Sequence, residues 1–178
     1  SPFTNNSSQS TEEIKSLDGV QWNYQQYLNV YVVNSIDNSS GTGTILGYAT
    51  LPFGTSANRD GIVVRHDRLG TIGTAASSGD GGRTLTHEIG HWLGLLHTFQ
   101  GGCSGFGDGC DDTPPVLSTF TNAGCPSNGN SCSSDSPDRI DMWENYMDYS
   151  RGTCMAMFTD DQKTRVYSSL ARSPILAP

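Results

Sequence analysis

His87-Glu88-Ile89-Gly90-His91-Trp92-Leu93-Gly94-Leu95-Leu96-His97 spells HExxHxxGxxH and holds three of the four histidines in a 178-residue chain. At 3.6 residues per turn, positions four apart differ by about 40° around a helix, so His87 and His91 share one face and can grip one metal ion. Glu88, one step round, can reach a water on that metal without ligating it, the general-base position of zinc hydrolases. Gly94 has a different role. Continued helix would carry His97 away, whereas a glycine takes the left-handed conformation that ends a helix and turns the chain back. His97 then supplies a third nitrogen, and three protein ligands leave a fourth zinc position open to water, as a catalytic site needs. A bare HExxH also arises by chance on amphipathic helices, but the added glycine and histidine at these spacings argue against chance. Thr84 or Thr86 can help start the helix, and Ile89, Leu93, Leu95 and Leu96 supply apolar faces for burial.

Working outward, the length suits a single domain, 1–178, with a sizeable core. Charged residues are sparse at 16%, yet 18 Asp and Glu stand against 10 Lys and Arg, a formal net charge of −8. That balance argues against nucleic acid, which needs basic patches, and suits bound calcium or cationic substrates. No stretch approaches the length of a membrane span. The Ser-Pro-Phe start, without an initiator Met, reads as a processed end from which a signal peptide and an inhibitory pro-segment have been removed. Five cysteines among Ser-, Thr-, Asn- and Gly-rich loops point to an exported, oxidising setting. Asn5, Asn6 and Asn38 lie in N-glycan acceptor sequences. Five cysteines allow fifteen arrangements of two bridges, and arithmetic alone does not choose among them.

Scaffold elements are legible around the motif. Thr11 to Ser16 opens with a Thr-Glu-Glu helix signal, Leu28 to Val33 and Gly61 to Val64 are β-rich runs, Gly47 to Pro52 reads as an edge strand, and Phe158 to Arg172 as a C-terminal helix. Asp108-Gly109-Cys110-Asp111-Asp112-Thr113-Pro114 packs three carboxylates into five residues. Such a turn is either a solvated acidic loop or a calcium site, since hard cations take clustered carboxylate and carbonyl oxygens.

Glu144-Asn145-Tyr146-Met147-Asp148-Tyr149-Ser150 is ambiguous by itself, because a methionine between aromatics is ordinary core filling. Beside HExxHxxGxxH it reads as the turn that metzincin peptidases place beneath their zinc histidines. The run HEIGHWLGLLHTFQGGC, followed by DDTP and NYMDYS, resembles the pappalysin family of that clan, over about Gln21 to Arg172. The resemblance implies an α+β fold: a mixed twisted sheet with active-site and backing helices above a cleft, over an irregular, disulfide-stapled lower half with a C-terminal helix. The halves would divide near Leu96 and His97. It implies His87, His91 and His97 as zinc ligands, Glu88 as general base and acid, Met147 as the floor, and Tyr149 as a ligand of zinc or of the reaction intermediate. A buried aromatic with an ordinary hydroxyl partner is the plain alternative for Tyr149.

The resemblance further implies Cys103 joined to Cys132 and Cys125 to Cys154, leaving Cys110 as a departure that reads as an inert buried thiol. It implies calcium near DDTP, with Asp108 and Thr113 foremost, then Asp111, Asp112 and the backbone carbonyl of Cys110. The edge strand, through Tyr48, Ala49 and Thr50, would pair with extended substrate. Relatives that cut before basic residues carry an acid where Thr153 stands. With Arg151 nearby, strict arginine preference is expected to be weakened or lost. The expected protein is therefore a secreted, monomeric zinc endopeptidase acting on protein or peptide substrates. Rival readings are a zinc hydrolase of non-peptide substrates, a non-catalytic metal-binding adhesion module, which would not need Glu88, and a thermolysin-like ligand set with a carboxylate such as Asp111 replacing His97.

Overall fold

The computed structural model describes residues 15, 19, 21–37, 43–52, 59–77, 79–118, 125, 129–133 and 137–172. Among the described residues three strands form one sheet: β1 (Val30–Val33), β2 (Gly47–Ala49) and β3 (Ile62–Arg65). Their order is β1-β3-β2, with β1 parallel and β2 antiparallel to β3, so the sheet is mixed as expected. Ile62, Val63 and Val64 are fully buried, which explains why the central strand reads as an unbroken apolar run. Tyr31, Val63 and Tyr48 stand opposite one another across the sheet and share one core cluster with Ile36, Val33 and Ile45.

The other face carries helix α1 (Arg83–Trp92), the motif helix. Helix α2 (Asp160–Arg172) closes the described chain. It starts with a reciprocal cap: Gln162 N–H donates to Thr159 Oγ1 at 3.2 Å, while Thr159 N–H donates to Gln162 Oε1 at 3.0 Å. Between His97 and Thr159 the described residues are mostly irregular, with a short 3-10 turn at Gly102–Ser104 and a parallel bridge between Asn145 and Met157.

β1 and β2 are shorter than the sequence suggests, while β3 keeps the expected length one residue further on. Just before β1 the Asn29 side chain holds Trp22, accepting its N–H at 2.8 Å and donating to its carbonyl at 3.0 Å, while the Asn29 carbonyl still accepts Ile62 N–H at 2.9 Å. β2 stops before Thr50, whose hydroxyl turns onto Asp60 and Gly61, and Pro52 beyond it has no amide donor. Of the expected Thr11–Ser16 helix only Lys15 is described, and it is helical. Asn5, Asn6 and Asn38 lie outside the described residues.

Candidate active site

Helix α1 begins after Gly82, and the cap comes from Asp80: Oδ2 accepts Thr84 N–H at 3.1 Å and Oδ1 accepts its hydroxyl at 2.9 Å. Thr84 does take part in the start, as the partner of an acid that also suits the positive helix end. At the other end Gly94 adopts φ +94°, its N–H donates to His91 O at 2.8 Å, and Leu95 N–H donates to Gly90 O at 2.9 Å. This pair of bonds is the Schellman ending, and Leu95 packs back towards Gly90. A Cβ on Gly94 would also collide with Ser169 of α2.

The reversal brings His97 back. The three Nε2 atoms form a triangle with edges of 3.0 Å (His87–His91), 2.9 Å (His91–His97) and 3.2 Å (His87–His97). His87 Nδ1 donates to Tyr146 O at 2.6 Å and His91 Nδ1 to Leu95 O at 2.8 Å. A carbonyl can only accept, so each of these rings carries its proton on Nδ1 and turns an Nε2 lone pair inward. Converging lone pairs need a cation between them. Tetrahedral zinc, with bonds of about 2.0–2.1 Å, spaces its ligands by roughly 3.3 Å, close to the observed edges. The donor set therefore fits zinc. Burial, joined by the neighbouring imidazoles, lowers His87 to about 4 and His97 to about 3, and burial lowers His91, keeping the rings neutral and able to ligate. The grouped metal-capable residues are these three histidines, without Asp111, so the thermolysin-like alternative finds no support among the described residues.

Beneath the helix, Met147 is fully buried, and a Cβ on Gly90 would strike its sulfur. Gly90 is the small residue that lets the methionine turn approach. Asn145 Oδ1 accepts Met147 N–H at 2.9 Å, and Asn145 and Gln162 exchange amide bonds at 2.9 and 3.0 Å, both side chains fully buried. Asp148 Oδ2 accepts the hydroxyl of Thr98, next to the third ligand, at 3.1 Å, while its Oδ1 accepts the amides of Tyr149 and Ser150. The Tyr149 ring centroid lies 4.8 Å from that of His97 and 5.4 Å from that of His87, and Phe99 stacks on His97 at 4.5 Å. Tyr149 is half exposed, and its phenol is pushed up by burial and then by Glu88.

Glu88 is buried, which raises its carboxyl to about 8. It lines both of two cavities, each about 320 Å³, together with Gly47, His87 and Tyr149. Gly47 borders the carboxylate closely: an added Cβ would lie 3.0 Å from Glu88 Cγ and 3.1 Å from Oε1. Tyr48 and Ala49 line the second cavity, beside His91 and His97. The Tyr48 ring belongs to the core cluster on the sheet's far face, under the Lys15 ammonium at 4.7 Å. Thr50 lines neither cavity and is bonded to Asp60 and Gly61 instead.

Arg151 and Thr153 are exposed and do not line the two cavities beside Glu88: burial alternates along Ser150 to Cys154, and the inward positions fall to Ser150, Gly152 and Cys154. Asp80, Arg83, Asp148 and Met155 line the first cavity. The sequence offered little signal for Asp80, Arg83, Met155 or Gly47, since none lies in a recognisable motif, and Asp148, though within the methionine-turn run, carried no expected role. The Tyr146 and Leu95 carbonyls that orient the ligands were equally hidden.

The acidic loop makes bonds of its own. Asp108 Oδ1 accepts from Thr113 Oγ1 at 2.6 Å and Cys110 N–H at 3.1 Å, and Cys110 O accepts the Thr113 hydroxyl at 2.9 Å. Asp112 Oδ2 accepts Asp161 N–H at the start of α2, while Asp161 Oδ2 accepts the amides of Asp111 and Asp112. The loop is thus a clasp on a helix N-terminus. Cys103 is joined to Cys132 and Cys125 to Cys154, with Cα separations of 5.3 and 5.4 Å. Cys110 is a buried free thiol pushed up to about 12 by burial and then by Asp108, chemically quiet.

Two imidazoles four apart on a helix, a glycine turn to a third and a methionine turn beneath define the metzincin class of zinc site. The chain belongs to peptidase family M43, the pregnancy-associated plasma protein-A family, whose model matches residues 11–171. It is 42% identical to Extracellular metalloprotease 1 of Coccidioides posadasii over 146 residues, 79% of this chain and 48% of the relative. It is 41% identical to an extracellular metalloprotease of Neurospora crassa, again over 79% of this chain and 47% of the relative. Mature mirolysin of Tannerella forsythia, solved with a cleaved peptide, superposes with a TM-score of 0.71 at 39% identity, covering 88% of this chain and 57% of that one. A promirolysin mutant superposes with the same score over 50% of its chain. The chain spans about half the length of the curated relatives it matches.

Proposed function

We propose that this chain carries the catalytic centre of a secreted zinc-dependent endopeptidase. The observation that carries the reading is the Nε2 triangle set beside the buried Glu88 carboxylate in a cleft bordered by the edge strand β2. His87, His91 and His97 would hold the zinc. When bound, zinc lowers the pKa of a coordinated water and polarises a carbonyl. Glu88, which lines the cleft beside the triangle, would accept a proton at its carboxylate and return it to the departing amine. Tyr149, which lines both cavities, would steady the intermediate through its hydroxyl. β2 stands at the end of the sheet order among the described residues, where its backbone would pair with an extended peptide, Tyr48 and Ala49 contributing through the strand.

Support for peptide substrates comes from mirolysin, solved with a cleaved peptide, and for an inhibitory pro-segment from promirolysin. The relatives named extracellular support secretion. Selectivity at the first cavity is assigned to its lining, Asp80, Arg83, Asp148 and Met155, rather than to Arg151 and Thr153. Glu88→Gln should keep stoichiometric zinc and lose casein turnover by about 10⁴-fold or more, given the 10²–10⁴ usual for acid–base catalysis and its double duty here. Full turnover in that variant would overturn the assignment.

Calcium remains a narrower part of this reading. Asp108 Oδ2 and Asp112 Oδ1 are buried without a hydrogen-bond partner, the kind of oxygen a hard cation takes, with Asp111, Thr113 and the Cys110 carbonyl adjacent in the loop. Calcium should raise the melting temperature of the zinc-loaded protein, and Asp108→Asn should abolish the increase. An unchanged wild-type melting curve in millimolar calcium would remove the site.

A further inference from the structure

Asp60 lies outside every motif, two residues before β3, and is only 1% exposed. Its Oδ1 accepts two hydrogen bonds from different parts of the cleft. One comes from Trp92 Nε1 at 3.0 Å, and Trp92 is the last residue of α1, next to the ligand His91. The other comes from Thr50 Oγ1 at 3.1 Å, and Thr50 follows Ala49, the last residue of β2. Thr50 is itself held, since its hydroxyl oxygen accepts Gly61 N–H at 3.0 Å and its own N–H donates to Gly61 O at 3.2 Å. One oxygen therefore joins the end of the ligand helix to the end of the edge strand.

We propose that Asp60 is a positioning residue that fixes the substrate-pairing edge β2 against the zinc-ligand helix α1. The proposal rests on the peptidase reading above. In that reading the peptide is carried by β2 while the ligands and Glu88 are carried by α1, so the distance between scissile carbonyl and catalytic groups is a distance between two separate elements. At the Gly47 end it is limited by contact with Glu88, which sets a closest approach but no restoring pull. At the Thr50 end the two directional bonds to Asp60 supply the pull. Glu would displace the shared acceptor by a methylene. Asn retains a carbonyl oxygen at the same place. A misplacement of about 1 Å between bound substrate and catalytic groups costs on the order of 100-fold in rate.

The test compares Asp60→Ala with Asp60→Asn in the zinc-loaded protein, measuring zinc stoichiometry, kcat and KM on a fluorogenic peptide long enough to pair along β2. Asp60→Ala should lose about 10–100-fold in kcat with full zinc and KM within about threefold, and Asp60→Asn should recover most of the loss. Trp92→Phe and Thr50→Val serve if Asp60→Ala does not fold, each deleting one donor to Asp60, the second together with the acceptor of Gly61 N–H. Each should lower kcat, and the double variant should cost little more than the worse single, because either break frees the edge from the helix. Wild-type kcat in Asp60→Ala, or a loss that only tracks lost zinc, overturns the brace alone; additive losses in the paired variants do the same. A zinc-loaded wild type that cleaves no peptide overturns the peptidase reading and the brace with it.

Discussion

Glu88 and Gly47 meet across the cleft with no room to spare: a methyl group at position 47 would press on Glu88 Cγ, its Oε1 and the Val63 carbonyl together. Gly47→Ala should therefore bind zinc normally yet lose about 10–100-fold in kcat/KM, because the carboxylate must shift from its reacting position. Steady-state kinetics beside metal analysis checks this, and unchanged kcat/KM would show that Glu88 has slack. Residue chemistry also sets a pH signature for chelator-stripped protein. His87 and His97 take up protons in the fold only near 4 and 3, against 6.5 in the unfolded chain, so as pH rises from 4 to 6.5 the unfolded chain surrenders protons that the fold never held, and stability rises. Glu88 works the other way. Its folded value near 8 exceeds the ordinary 4.5, so the stability it contributes at low pH is lost as pH climbs through 8. Two imidazoles outweigh one carboxyl below 6.5, so this site's contribution should peak near pH 6.5. Thermal unfolding of the stripped protein from pH 4 to 9 reads it, and Glu88→Gln should erase the decline above the peak.

At the scale of elements, α1 owes both its ends to specific devices, the Asp80 cap and the Schellman turn at Gly94. The second was legible in HExxHxxGxxH because the glycine must fall where the chain reverses. The first was not, because Asp80 lies two residues ahead of the N-cap Gly82, where no capping pattern points. The Thr159-Asp160-Asp161-Gln162 cap of α2 was written in the sequence as a T-x-x-Q signal, and the helix expected from Phe158 begins where that signal puts it. Gln162 then does double duty, since the same amide locks Asn145 and through it the Met147 turn. Removing it leaves a buried amide unpaired. Gln162→Ala should cost about 2–4 kcal/mol, combining the lost volume with an unsatisfied Asn145, and urea denaturation of the zinc-loaded protein measures it. A cost below about 0.5 kcal/mol would mean that the turn is held by other contacts.

Across the whole molecule, the irregular span from His97 to Thr159 is ordered by long-range ties rather than by regular structure. Two disulfides, each spanning a sequence separation of 29, cross-link the span internally, and the clasp between Asp112 and Asp161 ties it to α2. Replacing Cys125 and Cys154 together by alanine should lower stability by about 2–4 kcal/mol in urea titration, on the loop-closure scale for bridges of this length. No measurable loss would mean that the clasp and the Met147 turn suffice. What the sequence determined by itself was the chemistry, because ligand identity, general base and chain reversal sit within eleven residues whose spacing acts through one helical turn. It also marked the strands and α2 through local pattern. Tertiary structure alone decided which surfaces meet: that Gly47 abuts Glu88, that Asp60 spans helix and edge strand, that the acidic loop caps α2, and that Arg151 and Thr153 face outward. Those outcomes depend on how separate elements pack and on a two-residue alternation whose phase is set by Cys154, and no local pattern encodes either.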